Sequence, residues 1–224
     1  MAVSWAASAL EWWEEAGVDT IVGEVPHDWL NPKAAARAAP VADALPDNLE
    51  AFQAWLATSA DIPLASPAAP RATPAGDPAS GLMVLVDMPS TDGGLLGGEA
   101  GALFDRMMAA IGRGRDTIYL APLSPARTPT GSIDAASGAR LGEIARHHVG
   151  LVAPKALLLF GDLCGKALLG LAVAEGRAKW HQVVTPAGSI KTLVTIRPEK
   201  LVDRPAFKKY VWEDLQMLKE ELTP

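Results

Sequence analysis

The chain has 224 residues, of which 49% are apolar and 21% are charged, a composition typical of a folded globular domain rather than a disordered or fibrous chain. Its formal net charge of -6 argues against nucleic-acid binding driven by overall charge, so a DNA-binding surface would have to be a local cluster of cations. The single cysteine, Cys164, excludes an intramolecular disulfide, and because neither a signal peptide nor an apolar membrane segment is evident, we expect a cytoplasmic protein without a membrane partner.

The first 80 residues are expected to form a helical arm with Pro/Ala-rich linkers. Residues 4–16 have the pattern of a capped helix, and Asp47 is placed to cap a second helix that runs to about residue 58. Residues 26–46 and 59–80 are rich in Pro and Ala, which favours semi-rigid linkers. We therefore expect an arm over residues 1–80 that packs on a core formed by residues 81–224.

From residue 81 onward, apolar strands alternate with amphipathic helices. Four strands are predicted at residues 82–86, 117–121, 155–160 and 193–196. Helices are predicted at about residues 100–111, 134–152, 163–169 and 205–222. Strands that are apolar throughout are buried on both faces, so this alternation predicts a three-layer α/β/α fold with a central, mostly parallel four-stranded sheet.

An Arg-Pro pair follows the fourth predicted strand. Pro198 cannot donate a hydrogen bond to a sheet ladder, so the strand should end at this point. Arg197 is thereby expected at the carboxyl end of a strand, which is where open α/β sheets bind their ligands.

Several common catalytic motifs do not fit this chain. The glycine-rich residues 91–101 (TDGGLLGGEAG) lack the Lys-Ser/Thr of a Walker loop and the glycine spacing of a dinucleotide site, which favours a plain loop before a helix. Gly-x-Ser-x-Gly is absent and the four histidines lack the spacing of paired metal ligands, so a serine hydrolase of that type and a zinc enzyme are not predicted. We interpret His147 and His148, in the middle of a predicted helix, as part of a solvated surface.

Five segments of the predicted core, in one order along the chain, resemble the uracil-DNA glycosylase superfamily, closest to its family-four iron-sulfur branch. The segments are VDMPS (86–90), GEAGALFDRMMAAIG (98–112), TIYLAPLSPARTP (117–129), APKALLLFGDLCGKALLG (153–170) and TIRPEKLVDRPAFKKYVWEDL (195–215). The resemblance covers about two thirds of the chain, from residue 81 onward, and the N-terminal WWEEAGVD is similar to the leading segment of bacterial members. The resemblance implies a uracil-DNA glycosylase-like fold and a function on DNA.

The resemblance places two residues at catalytic positions. Asp87 stands where the first motif of the family has a carboxylate near the scissile bond, and Arg197 stands where the last motif has a histidine that supports the departing uracil anion. A guanidinium is a permanent cation and a strong donor to anions, so it would suit the second task. The alternative for Arg197 is a contact with a phosphate or with a local carboxylate such as Glu199.

The base pocket that the resemblance implies lacks its reading groups. Its residues would be Met88, Pro89, Leu96 and Pro122. The family has a stacking aromatic near Leu95 or Leu96, and it has a base-reading asparagine at the position of Pro122, whose side chain has neither a donor nor an acceptor. We therefore expect lost or altered recognition of uracil.

The cysteines that hold the cluster of the family are missing. Ala126 and Leu141 occupy two of the expected positions, and the chain contains one cysteine in all. Four thiolates normally hold such a cluster, so we predict no cofactor and no metal site.

A group of cations follows the Arg-Pro pair and suggests a DNA contact. The candidate DNA-binding residues are Arg127, Lys200, Leu201, Arg204 and Lys208. The cations would contact the backbone, Leu201 or Val202 would insert between bases, and the hydroxyls of Ser124 and Thr128 would add phosphate contacts. The alternative is that these cations balance the acidic residues of the final helix.

Three functions stay open at the level of the sequence. The first is a DNA-binding member of the superfamily, a pseudoenzyme or one with an altered lesion. The second is an active uracil-DNA glycosylase, a hydrolase of DNA repair. The third is a protein-interaction module that binds a partner through its N-terminal arm.

Overall fold

The structure is a computed structural model, and it describes Trp12, residues 44–64 and residues 70–223. Contacts divide the chain into two compact units, Met1–Val41 and Ala42–Pro224, and all elements named below belong to the second unit.

Part of the predicted arm falls outside the described residues. This applies to the helix predicted over residues 4–16, apart from Trp12, and to most of the Pro/Ala segment 26–46. The division into an arm and a core at residue 81 therefore stays a prediction.

A six-stranded mixed sheet organises the second unit. Its strands are β1 (Ala75–Gly76), β2 (Leu82–Val86), β3 (Tyr119–Pro122), β4 (Ala156–Phe160), β5 (His181–Thr185) and β6 (Gly188–Thr195). Their order is β1-β3-β2-β4-β6-β5, with the inner four strands parallel and both edge strands antiparallel. The predicted α/β class is confirmed.

The prediction of a four-stranded sheet is wrong, because the observed sheet has six strands and the four predicted strands are its inner ones. The edge strand β1 has two residues and lies in a Pro/Ala-rich segment, so it carries no periodic signal. The edge strand β5 is exposed at alternate positions and mixes polar with apolar residues. Edge strands need not be apolar throughout, whereas the prediction relied on segments that are apolar throughout.

Residues 44–64 and 70–223 form seven α-helices. They are α1 (Leu49–Thr58), α2 (Gly98–Ala110), α3 (Ala135–Val152), α4 (Asp162–Leu169), α5 (Val173–Gly176), α6 (Pro198–Asp203) and α7 (Lys208–Leu222). Asn48 caps α1, in place of the predicted Asp47. Pro205 begins a short 3-10 turn, Pro205–Phe207, ahead of α7, and the helix α6 directly after Arg197 was not predicted.

The helices cover the sheet in two groups. Helix α3 contacts α1, α4 and β5, whereas α2 contacts α6, and α7 contacts β6. The crossover from β2 to β3 runs along the sheet in the opposite direction to that from β3 to β4, and right-handed crossovers then place α2 and α3 on opposite faces. Every residue of β2 and β4 is accordingly buried.

The register aligns the carboxyl ends of the four parallel strands. Val86 pairs with both Pro122 and Phe160, and Phe160 pairs with Thr195. The segments that follow these residues therefore leave the sheet side by side, and they form the carboxyl edge where ligand sites of α/β sheets occur.

His148 lies in the core, so its predicted place on a solvated surface is wrong. Its Nε2 atom lies 2.9 Å from the Tyr119 hydroxyl, which accepts a hydrogen bond from Gln53 Nε2 at 2.8 Å. We assign the hydroxyl as the donor to His148, because its hydrogen would otherwise have no acceptor in a buried site. Burial, assisted by His147, lowers the pKa of His148 to about 3. The network joins α1 to the sheet.

Candidate nucleic-acid interface

A cleft of about 660 Å³ opens at the carboxyl edge of the sheet, and we call it the rim cleft. Its wall includes residues that follow three of the parallel strands, namely Asp87 after β2, Gly161 after β4 and Arg197 after β6. Lys166, Lys200 and Arg204 line it as well. Parallel register and strand ends thus bring together residues that are far apart in the chain.

Asp87 caps a helix from a distant part of the chain. Its Oδ1 atom accepts a hydrogen bond from the backbone N–H of Cys164, in the first turn of α4, at 2.9 Å. The N-cap residue of α4 is Gly161, which has no side chain to make such a bond. The free amides of the helix are therefore satisfied in part by a carboxylate from β2.

Gly161 makes room for this carboxylate. Its φ is +111°, in the region that favours glycine, and a Cβ atom at this position would lie 2.1 Å from Oδ2 of Asp87. A side chain at residue 161 would accordingly push Asp87 away from the first turn of α4.

The electrostatic environment of Asp87 contains opposing effects. Burial, at 6% exposure, raises the pKa of the Asp87 carboxyl, while hydrogen bonds from Cys164 and the positive charge of Arg197 lower it, and the net direction is upward. The Asp87 carboxylate is hydrogen-bonded to the first turn of α4, and it is buried in the wall of the cleft. This environment suits a structural anion better than an exposed general base.

Arg197 is exposed at the mouth of the cleft. It occupies the N-cap position of α6, immediately before Pro198, as the strand-ending role of the proline predicts. Arg197 forms no ion pair with any described residue. Glu199, the local carboxylate considered above, is therefore not its partner. Its guanidinium is therefore available to an anion in the cleft, and its charge also acts on Asp87.

Three further cations share the wall with Arg197. Lys166, Lys200 and Arg204 are exposed, and none of them forms an ion pair with a residue in the described ranges 44–64 and 70–223. Two carboxylates, Asp162 and Asp203, also line the cleft, and Asp162 accepts a hydrogen bond from the backbone of α5. The cations therefore outnumber the exposed acids of the cleft.

Three of the four acidic residues of α7 are paired elsewhere, and the fourth, Glu220, forms no ion pair with any described residue. Glu213 and Asp214 bind Arg177, and Glu221 binds Lys191. The alternative in which the cations after Arg197 balance this helix is therefore wrong for the described structure.

Lys166 was missed by sequence reasoning. It lies in α4, four residues after Asp162, in a segment that was interpreted through its apolar face alone. Lys166 could have been predicted as a site residue from its position, because it is a cation one turn into a helix that starts at the carboxyl edge of the sheet.

Other predicted DNA-binding residues lie apart from this wall. Leu201 is 1% exposed in the core, so the prediction that it inserts between bases is wrong. Lys208 lines a different depression, beside Trp212. Arg127 is exposed, but one of its Nη atoms donates to the carbonyl of Pro89 at 3.0 Å.

The hydroxyls of Ser124 and Thr128 are used internally. Ser124 Oγ donates to the carbonyl of Ala126 at 2.8 Å, and Thr128 Oγ1 donates to that of Ser132 at 3.0 Å. Both residues are buried, so the predicted phosphate contacts through these hydroxyls are wrong.

The predicted base-pocket residues come together only in part. Met88 and Leu96 line a small pocket of about 100 Å³, beside Arg197 and Phe160, whereas Pro89 and Pro122 do not line it. Pro122 is buried at the end of β3, where it pairs with Val86. Phe160 was not predicted as a pocket residue, although it is an aromatic side chain at the carboxyl end of a strand.

The residues present do not fit an iron-sulfur cluster. Ala126 and Leu141 are buried and apolar, and burial, followed by the proximity of Asp87, raises the pKa of the Cys164 thiol well above its usual value. Among the described residues, no group of three or more His, Cys, Asp or Glu side chains is placed to hold a metal ion.

Comparison with protein-family models finds no match for this chain, and no curated protein matches it significantly. Within the described residues, no helix combines the length and the apolar character needed to cross a membrane.

Proposed function

We propose that this protein is a DNA-binding member of the uracil-DNA glycosylase superfamily whose base-excision activity is lost or altered. The observation that carries the proposal is the set of four cations on the rim cleft that are not neutralised by the described residues. Those cations are Lys166, Arg197, Lys200 and Arg204.

Phosphate diesters are the ligands that such a wall suits. Arg and Lys side chains bind backbone phosphates with little regard to sequence, and each contact releases a counterion. The chain as a whole is acidic, so attraction to DNA would be confined to this cleft and would weaken steeply with salt.

The surroundings of the cleft support the loss of the ordinary reaction. Excision requires a base held in a pocket, a stabilised leaving anion and a directed water. Asp87 is held by the amide of Cys164, Leu96 offers no ring for stacking, and Pro122 offers no hydrogen bond to a base. Arg197 could stabilise an anion, but the groups that would select uracil are absent from these positions.

The test is a titration of the full-length protein with fluorescent single-stranded and duplex DNA, with and without uracil or an abasic site, at several salt concentrations. We expect binding that falls with salt and is insensitive to uracil, and no alkali-labile strand breaks at uracil. The double variant Lys200→Ala/Arg204→Ala should weaken binding, while Lys179→Ala, an exposed lysine outside the cleft, should leave it unchanged.

Two results would contradict the proposal in different ways. Efficient release of uracil would assign the chain to the active glycosylases. An absence of DNA binding even at low salt would leave the protein-interaction module as the function to pursue.

A further inference from the structure

A second depression, separate from the rim cleft, lies between α2 and α7, and we call it the helix groove. It has a volume of about 240 Å³, and its apolar floor consists of the half-buried Met107 beside Leu103, Leu201, Val211 and Leu215, which belong to the core and are 1% to 8% exposed. None of these residues lines the rim cleft, so the two depressions present different chemistry to solvent.

The two helices contribute matching stripes to this groove. Leu103, Arg106, Met107 and Ala110 lie on one side, with the i, i+3, i+4, i+7 spacing of a single helix face. Lys208, Val211, Trp212 and Leu215 repeat that spacing on the other side. Each stripe rises about 10 Å along its helix, which corresponds to two helical turns.

Trp212 marks the groove as a binding surface. Its side chain is 44% exposed, although tryptophan is a large apolar residue that normally gains free energy by burial. Trp212 lines the groove beside its apolar floor, and tryptophan is enriched among the residues that dominate the energy of interfaces.

The edges of the groove are positively charged. Arg106 and Lys208 are exposed and form no ion pair with any residue in the ranges 44–64 and 70–223. The neighbouring carboxylates are already engaged, since Asp105 binds Arg115 at 2.6 Å and Glu213 binds Arg177 at 3.2 Å. The uncompensated charge beside the apolar floor is therefore positive on both sides.

We propose that the helix groove binds an amphipathic helix of a partner protein that carries acidic residues on the flanks of its apolar stripe. A helix with apolar residues at i, i+3, i+4 and i+7 matches the floor, and its flanking carboxylates would meet Arg106 and Lys208. A nucleic-acid backbone is a poorer fit, because the apolar floor offers no donors to phosphate oxygens.

The test is a selection from a displayed library of helical peptides that share an apolar stripe and have randomised flanks. The peptides are selected on the full-length protein and counter-selected on Trp212→Glu. We expect Glu and Asp to be enriched on the flanks. Arg106→Glu should weaken a selected peptide by about tenfold or more, while Lys179→Glu, outside the groove, should have no effect.

The outcomes separate this proposal from the DNA-binding function. Peptide binding should survive Arg197→Ala, and DNA binding should survive Arg106→Glu. The proposal is overturned if no Trp212-dependent peptide is recovered or if the selected flanks are neutral or basic. It is also overturned if Arg106→Glu impairs DNA binding, which would add the groove to the DNA surface. Self-association that Trp212→Glu abolishes would assign the groove to a second copy of the chain instead.

Discussion

The Oδ1 atom of Asp87 lies 2.9 Å from the backbone nitrogen of Cys164, and the two residues are 77 positions apart in the chain. This hydrogen bond joins the end of β2 to the first turn of α4, and Gly161 leaves the space that the carboxylate occupies. The residue that the resemblance placed in catalysis is therefore tied into the scaffold of the cleft.

Replacement of Asp87 should affect stability more than DNA affinity. Asp87→Ala removes a helix cap and leaves a buried amide without its acceptor, so we expect the free energy of unfolding to fall by about 2 kcal/mol. Urea denaturation measures this change. Asp87→Asn keeps an acceptor oxygen and should cost less.

The DNA affinity of Asp87→Asn should stay close to that of the wild type. A carboxylate at the cleft does not attract phosphate, and any effect of its charge on DNA would be repulsive. A large loss of DNA affinity with unchanged stability would instead place Asp87 in direct contact with the ligand.

Removal of the Arg197 side chain should weaken DNA binding to the same extent for all sequences. If Arg197 contacts one phosphate, Arg197→Ala reduces the slope of log K against log salt by about one unit. Anisotropy titrations over a salt series measure the slope. Unchanged affinity together with the loss of a residual base-release activity would assign Arg197 to the leaving base.

Restoration of the family histidine should not restore uracil excision. In Arg197→His, Leu96 and Pro122 still offer no stacking or hydrogen bonding to a base, and a leaving group must be held before its charge can be stabilised. Alkaline cleavage of uracil-containing DNA is the measurement. Excision that appears in this variant alone would show that the histidine was the single missing group.

His148 should make the protein less stable as the pH falls. Its pKa is about 3 in the folded state and about 6.5 in a model peptide, so between these values the unfolded state takes up a proton that the folded state excludes. The free energy of unfolding should fall in this range by up to about 1.4 kcal/mol per pH unit from this group. The contribution of His148 to the free energy of unfolding is fully present above the pKa that this residue has in the unfolded state.

Urea denaturation at several pH values tests the assignment to His148. His148→Gln has no titrating group at this position, so its stability should change less steeply on acidification, although it should be lower near neutral pH. His181→Gln is the control, since it also replaces a histidine, and His181 lies outside the network of His148, with its Nε2 atom 2.7 Å from the carbonyl of Gly176. An unchanged slope in His148→Gln would refute this source of acid sensitivity.

Cys164 should not react with thiol reagents in the folded protein. Its side chain is 0% exposed, and burial raises the pKa of the thiol well above the usual range, so the reactive thiolate is scarce and inaccessible. A colorimetric disulfide reagent should modify it only after denaturant is added. Rapid modification of the native protein would indicate that the packing between Asp87 and α4 opens readily.

Several elements of the fold could be predicted because their signals are local. β2 was predicted at its observed bounds, and α3 was predicted to start within one residue of its observed start and to end at its observed end. A fully apolar strand and a capped amphipathic helix are each specified by residues close together in the chain. The same reasoning placed Arg197 at the end of a parallel strand.

Non-local contacts determined the rest of the fold and most of the candidate site. Hydrogen bonding to β3 made a strand of Ala75–Gly76, and packing against Tyr119 and Phe52 buried His148. Partners far along the chain also determined which charges are free, since Arg177 and Lys191 bind three of the four acids of α7, and the cations of the rim cleft form no ion pair with a described residue. Sequence patterns report the periodicity of a segment, whereas burial and ion pairing depend on which segments meet, and only the tertiary structure determines that.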